Sequence, residues 1–176
     1  MNKQEIVALL QQNHQNFIQL IEGFSKEDFE KTIGEKWTAG QQAEHIFKSV
    51  NPVVLALKLP KFLLKLFFST NNRKSKSFEE LVSKYNQKLA LGGKATKRFI
   101  PKPIPFEHKA IVLGKIKNTV ERLCALTLKL DEKDLDLYIL PHPLLGKLTL
   151  REMLFFTIHH VTHHQQSLID IIENKA

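Results

Sequence analysis

Apolar residues recur along this chain at helical spacing, and the alternating patterns that mark strands are scarce. Ile6, Leu9, Leu10, Phe17, Leu20 and Ile21 define a first helix ending near Gly23. Ser25 with Asp28 opens a short helical piece carrying Phe29 and Ile33. Thr38 followed by Gln41 is a capping-box pair, so a second helix starts at Ala39 and runs past His45; Pro52 weakens it and Pro60 stops or bends it. NNRKSKS is a loop by composition, Phe78 to Leu91 a third helix closed by Gly92-Gly93, and PKPIP an extended connector. A fourth helix covers Glu107 to Leu130, and LPHPLLGKL is a further loop. Thr149 with Glu152 then caps a last helix reaching about Glu173. The expectation is an all-α chain, a single domain over residues 1–176, built as a four-helix bundle with long loops. The order of packing is not readable from the pattern.

Composition narrows the class. With 176 residues, 43% apolar and 25% charged, the chain can close a globular core and does not read as disordered. The single cysteine, Cys124, excludes an intrachain disulfide; within LCALTL it reads as a core residue rather than a nucleophile. The N-terminal MNKQEIVALLQQNH holds no apolar stretch of signal-peptide length. VVLALKLPKFLLKLFF is broken by Lys58, Pro60, Lys61 and Lys65, short of the roughly 18 uncharged residues of a membrane span. A soluble, cytoplasmic protein is therefore expected, with the apolar run Leu63 to Phe68 either covering the bundle or forming a homodimer face.

Charge is uneven. Net charge is +8, and between Lys58 and Lys102 twelve Lys or Arg residues face only Glu79 and Glu80. Such a stretch could meet nucleic acid or an anionic membrane. Tyr85 is its only Tyr or Trp and no nucleic-acid-binding motif is present, so it reads as a solvated lysine-rich connection. Attraction of an anionic small substrate is another use of the same charge.

The histidines carry the sharpest signal. His159, His160, His163 and His164 fall within six residues of the last helix. A spacing of i, i+4 puts two imidazoles on one face, close enough to share a metal, and two such pairs exist. At about 100° per residue, His160 and His164 share an arc with Leu150, Met153, Val161, Leu168 and Ile171, at the core edge. His159 and His163 fall on the opposite side with Glu152, Gln166 and Asp170, a solvent face or the surroundings of the site. Buried neutral imidazoles need partners for their nitrogens; other helices could supply side chains, but a metal takes one nitrogen from each ring of the inner pair. A third ligand would come from another helix. His14 sits in the polar surface run QQNHQN, His108 beside the start of the fourth helix and His142 in a loop. His45, between Ala43, Ile46 and Phe47, is the best placed, although spacing alone does not settle the choice.

The segments WTAGQQAEHI and GKLTLREMLFFTIHHVTHHQQSL resemble the DinB/YfiT family of bacterial metal-binding four-helix bundles, and the resemblance follows the helix order of the whole chain. In that family a histidine of the second helix joins two histidines, four apart, on the last helix. That pattern falls on His45, His160 and His164, with Trp37 matching the tryptophan before the second helix. Many members follow the last ligand with Arg-Gly-Gln, where this chain has Gln165, Gln166 and Ser167. The resemblance implies one divalent metal, Zn or Ni foremost, with Fe or Cu as alternatives. It further implies a metal-dependent thiol S-transferase that activates a low-molecular-weight thiol, such as bacillithiol or mycothiol, for a small-molecule electrophile. Two alternatives stand beside it. One is a hydrolase using metal-bound hydroxide, for which Glu44, about 100° round the helix from His45, is a poor base. The other is a non-catalytic metal-binding stress protein.

Overall fold

Reciprocal capping boxes set where most of the longer helices begin in the computed structural model, which describes residues 1–174. Asn2 opens α1 (Lys3–Glu22), Ser25 opens α2 (Lys26–Glu30) and Thr38 opens α3 (Ala39–Leu57). After Pro60 comes α4 (Lys61–Phe68), and Ser77 caps α5 (Phe78–Ala90). Then follow α6 (Lys109–Lys129) and α7 (Glu132–Leu137). Thr149 caps α8 (Leu150–Ile172). Gly92, in the left-handed region at φ 83°, lies just beyond the end of α5, where a side chain would be strained.

Helices α1, α3, α6 and α8 form the bundle as a closed ring: α6 packs between α1 and α3, and α8 touches both from the other side. Their facing stripes, including Ile6, Leu10, Phe17 and Ile21 of α1 and Leu154, Val161 and Leu168 of α8, belong to one contiguous buried cluster. Cys124 is inside it, as its sequence context indicates, with burial pushing its thiol pKa up to about 11. Helix α5 lies outside the ring, against α8. Gly40 allows α2 and the 101–105 connector to close over the first turn of α3, since a Cβ there would lie 2.8 Å from the Phe29 ring and 2.9 Å from the Ile104 carbonyl. Among the described residues no helix is long and apolar enough to cross a membrane.

Pro52 forgoes one amide bond within α3, and the helix ends at Leu57, ahead of Pro60, as expected. Several expectations need correction. Helix α2 stops at Glu30, leaving Ile33 outside it. LPHPLLGKL is a β-hairpin rather than a featureless loop. Strands β1 (Ile139–His142) and β2 (Gly146–Thr149) pair antiparallel with His142 opposite Gly146, whose φ of 79° closes a three-residue turn. His14 is not on the surface: it is 1% exposed, in the stripe between Leu10 and Phe17. Nor is Glu152 on a solvent face. It is fully buried, because the NNRKSKS segment folds over it: Arg73 forks onto both carboxylate oxygens at 2.6 and 2.7 Å, and the Lys76 amide donates at 2.7 Å. Part of the basic stretch is therefore consumed internally, with Lys61 on Asp134 at 2.6 Å as a further example. Leu64 of α4 is buried, whereas Phe62, Leu66 and Phe67 are exposed.

Candidate metal centre

His45, His160 and His164 converge where α3 faces α8, the last two near the middle of α8. All three are buried, and one nitrogen from each lies within 4.8 Å of the others. His160 Nε2 is the centre of the group, 3.2 Å from His45 Nε2 and 3.2 Å from His164 Nε2. Two imidazole nitrogens bound tetrahedrally to one ion at metal–nitrogen lengths of 2.0–2.1 Å would lie about 3.3 Å apart. The spacing fits.

The far side of two rings decides what those nitrogens offer. His45 Nδ1 is 2.8 Å from the Phe99 carbonyl, which only accepts, so the proton sits on Nδ1 and Nε2 keeps its lone pair. His164 Nδ1 is 2.9 Å from Gln42 Oε1. The Gln42 amide is oriented by its own NH2 group, which donates to the Trp37 carbonyl at 2.9 Å, so Oε1 is the acceptor and His164 Nε2 is again a lone pair. Burial lowers the pKa of His45, and burial with the neighbouring histidines holds His160 and His164 well below the ordinary value. At neutral pH these are uncharged imidazoles aimed at one point, a group that could hold a metal ion.

Beside them lies a cavity of about 240 Å³. Its walls are mainly apolar and include Trp37, Val53, Leu89, Phe99, Met153 and Phe156. Tyr85 of α5 sets its ring edge-on to Phe156, His159, His160 and His163. Burial pushes the Tyr85 phenol up to about 12, so it stays protonated. Lys94 is the one lysine in the lining, and no carboxylate lines the cavity among the described residues. His142 also lines it, its pKa lowered to about 4 by burial and then by Lys84.

The outer pair behaves differently. His163 lines the cavity and His159 is half-buried, its Nε2 without a hydrogen-bond partner; neither joins the three-histidine group. Among the remaining candidates, His108 precedes α6, and His14 lies on α1 beside a surface hollow bordered by Gln11, Lys117 and Glu121, apart from the three-histidine group. Sequence reasoning missed Gln42, Phe99, Tyr85 and His142 as parts of the site. Gln42 alone left a trace, since it stands three residues before His45 and so on the same face of α3.

A family model described as the DinB superfamily matches residues 9–168. No curated protein matches the sequence.

Proposed function

Since the chain belongs to the DinB superfamily, we propose that His45, His160 and His164 bind one divalent metal, and that the protein is a metal-dependent transferase acting on a low-molecular-weight thiol and a small electrophile. The observation that carries this reading is the convergence of three neutral imidazoles beside an open cavity rather than inside a closed, fully coordinated core. Zn or Ni suits such a donor set best, with Fe or Cu compatible. When bound, the metal supplies a positive charge that favours thiolate over thiol. The protein's own groups do the rest. Phe99 and Gln42 hold two rings in orientation, Trp37 and Phe156 pack against the His45 and His160 rings, and Lys94 brings positive charge to the lining.

The lining weighs against hydrolysis. A water nucleophile needs a general base, and the cavity presents no carboxylate among the described residues. Glu44 is turned to Lys48, 4.0 Å away along α3. The test is elemental analysis of wild-type protein beside His160→Ala, followed by thiol and electrophile screening. About one equivalent of metal lost in the variant is expected; no metal in either, after reconstitution with Zn or Ni, would sink the proposal.

A further inference from the structure

His142 closes the cavity from the hairpin, and its protonation pattern is dictated by the turn it begins. The Leu144 and Leu145 amides point at His142 Nδ1, at 3.2 and 3.0 Å. An amide can only donate, so Nδ1 is unprotonated and the proton of the neutral ring must sit on Nε2. Nε2 lies across the ring from the turn and makes no hydrogen bond to a described residue, although the ring is half-buried. The imidazole packs on Phe156, with ring centroids 4.2 Å apart, and Phe156 in turn stacks on His160 at 4.7 Å. One aromatic ring thus separates a fixed, unused N–H donor from the centre of the three-histidine group.

Resting on the metal-site reading above, we propose that His142 Nε2–H is the ligand-orienting donor of the cavity. It hydrogen-bonds a carbonyl or carboxylate oxygen of a ligand whose sulfur is held at the metal and whose body lies against the apolar wall. A donor in this position selects for oxygen-bearing ligands and fixes their rotation about the metal end. A charged side chain would be mobile and would discriminate by charge; His142 is held by two backbone bonds, and it discriminates by hydrogen-bonding geometry. The apolar surroundings strengthen the effect, because an unpaired N–H facing a ligand without an acceptor loses water and gains nothing.

Two substitutions separate the turn from the donor. In His142→Asn the side-chain oxygen occupies the place of Nδ1 and can still accept from Leu144 and Leu145, while the Nε2 donor is gone. In His142→Gln the amide nitrogen reaches the place of Nε2. The probes are two uncharged thiols, N-acetylcysteamine, which carries a carbonyl, and butane-1-thiol, which does not, titrated into cobalt-loaded protein and followed by the sulfur-to-cobalt absorption. Wild type should prefer the carbonyl thiol, and His142→Asn should lose about fivefold of that preference, with butanethiol affinity no lower than in wild type and metal content unchanged. His142→Gln should recover part of it. An unchanged preference in His142→Asn overturns the role of His142 while leaving the metal site standing. Failure of wild type to load cobalt overturns both.

Discussion

His164 Nδ1 donates to Gln42 Oε1 across 2.9 Å, although the two residues are 122 positions apart in the chain. The bond makes Gln42 the determinant of which nitrogen of His164 is free. Replacing Gln42 with Leu should weaken metal binding by about 10–100-fold, the usual cost of losing such an orienting partner. Gln42→Glu keeps an acceptor and should retain most of the affinity. Competition with a chromophoric chelator measures both, and equal loss in the two variants would mean that Gln42 acts through packing alone.

Removing the metal should leave the helices in place. The ring of α1, α3, α6 and α8 is closed by its own apolar cluster, of which the three histidines are not members. Treatment with a chelator is expected to leave far-ultraviolet circular dichroism unchanged and to lower the unfolding free energy only by the lost binding energy, about 3–4 kcal/mol when metal exceeds its Kd by 100- to 1,000-fold. Unfolding on chelation would instead assign the metal a structural role.

Glu152 couples stability to acid pH. Burial works to raise its pKa, but Arg73 and the Lys76 and Thr149 amides overcome this and bring it from 4.5 down to about 2. Because the folded value is depressed, the stabilisation is present above pH 4.5 and disappears as pH falls towards 2. At about 1.4 kcal/mol per pH unit this amounts to about 3 kcal/mol at neutral pH. Chemical denaturation of Glu152→Gln should show a deficit of that order at pH 7 and little difference from wild type near pH 2.

His14 couples stability to acid in the same sense, over a higher pH range. Its Nδ1 donates to the Leu10 carbonyl at 2.8 Å, but the buried Nε2 has no partner, and burial lowers its pKa to about 4. The unfolded chain therefore takes up a proton at a higher pH than the folded one, and the folded state loses stability as pH falls from 6.5 to 4. His14→Leu removes both the orphaned acceptor and the proton linkage. It should raise stability by about 1 kcal/mol at pH 7 and by more at pH 5, read from urea midpoints. A destabilised variant at both pH values would show that the Leu10 bond and the ring's shape outweigh the missing partner.

Helix starts were legible because a cap is written within four residues: Thr38 with Gln41 and Thr149 with Glu152 form the boxes their spacing predicts. The inner pair His160 and His164 was legible for a similar reason, since the helical repeat places both on the arc that carries Val161 and Leu168. His14 could have been read from the same repeat, between Leu10 and Phe17, had its polar neighbours not masked the stripe. Glu152 could not. A helix wheel gives the direction of a side chain from its own axis, and says nothing of what the rest of the chain places there. Arg73, 79 residues away, turned an apparent solvent face into an ion pair over a buried carboxylate. The same limit hid the Phe99 carbonyl behind His45 and the turn amides behind His142. The sequence by itself therefore determined the main helices, their apolar faces and the histidines that could hold a metal. Only the tertiary structure decided which nitrogens carry protons and which groups face the cavity, because those depend on partners brought together by packing across the ring.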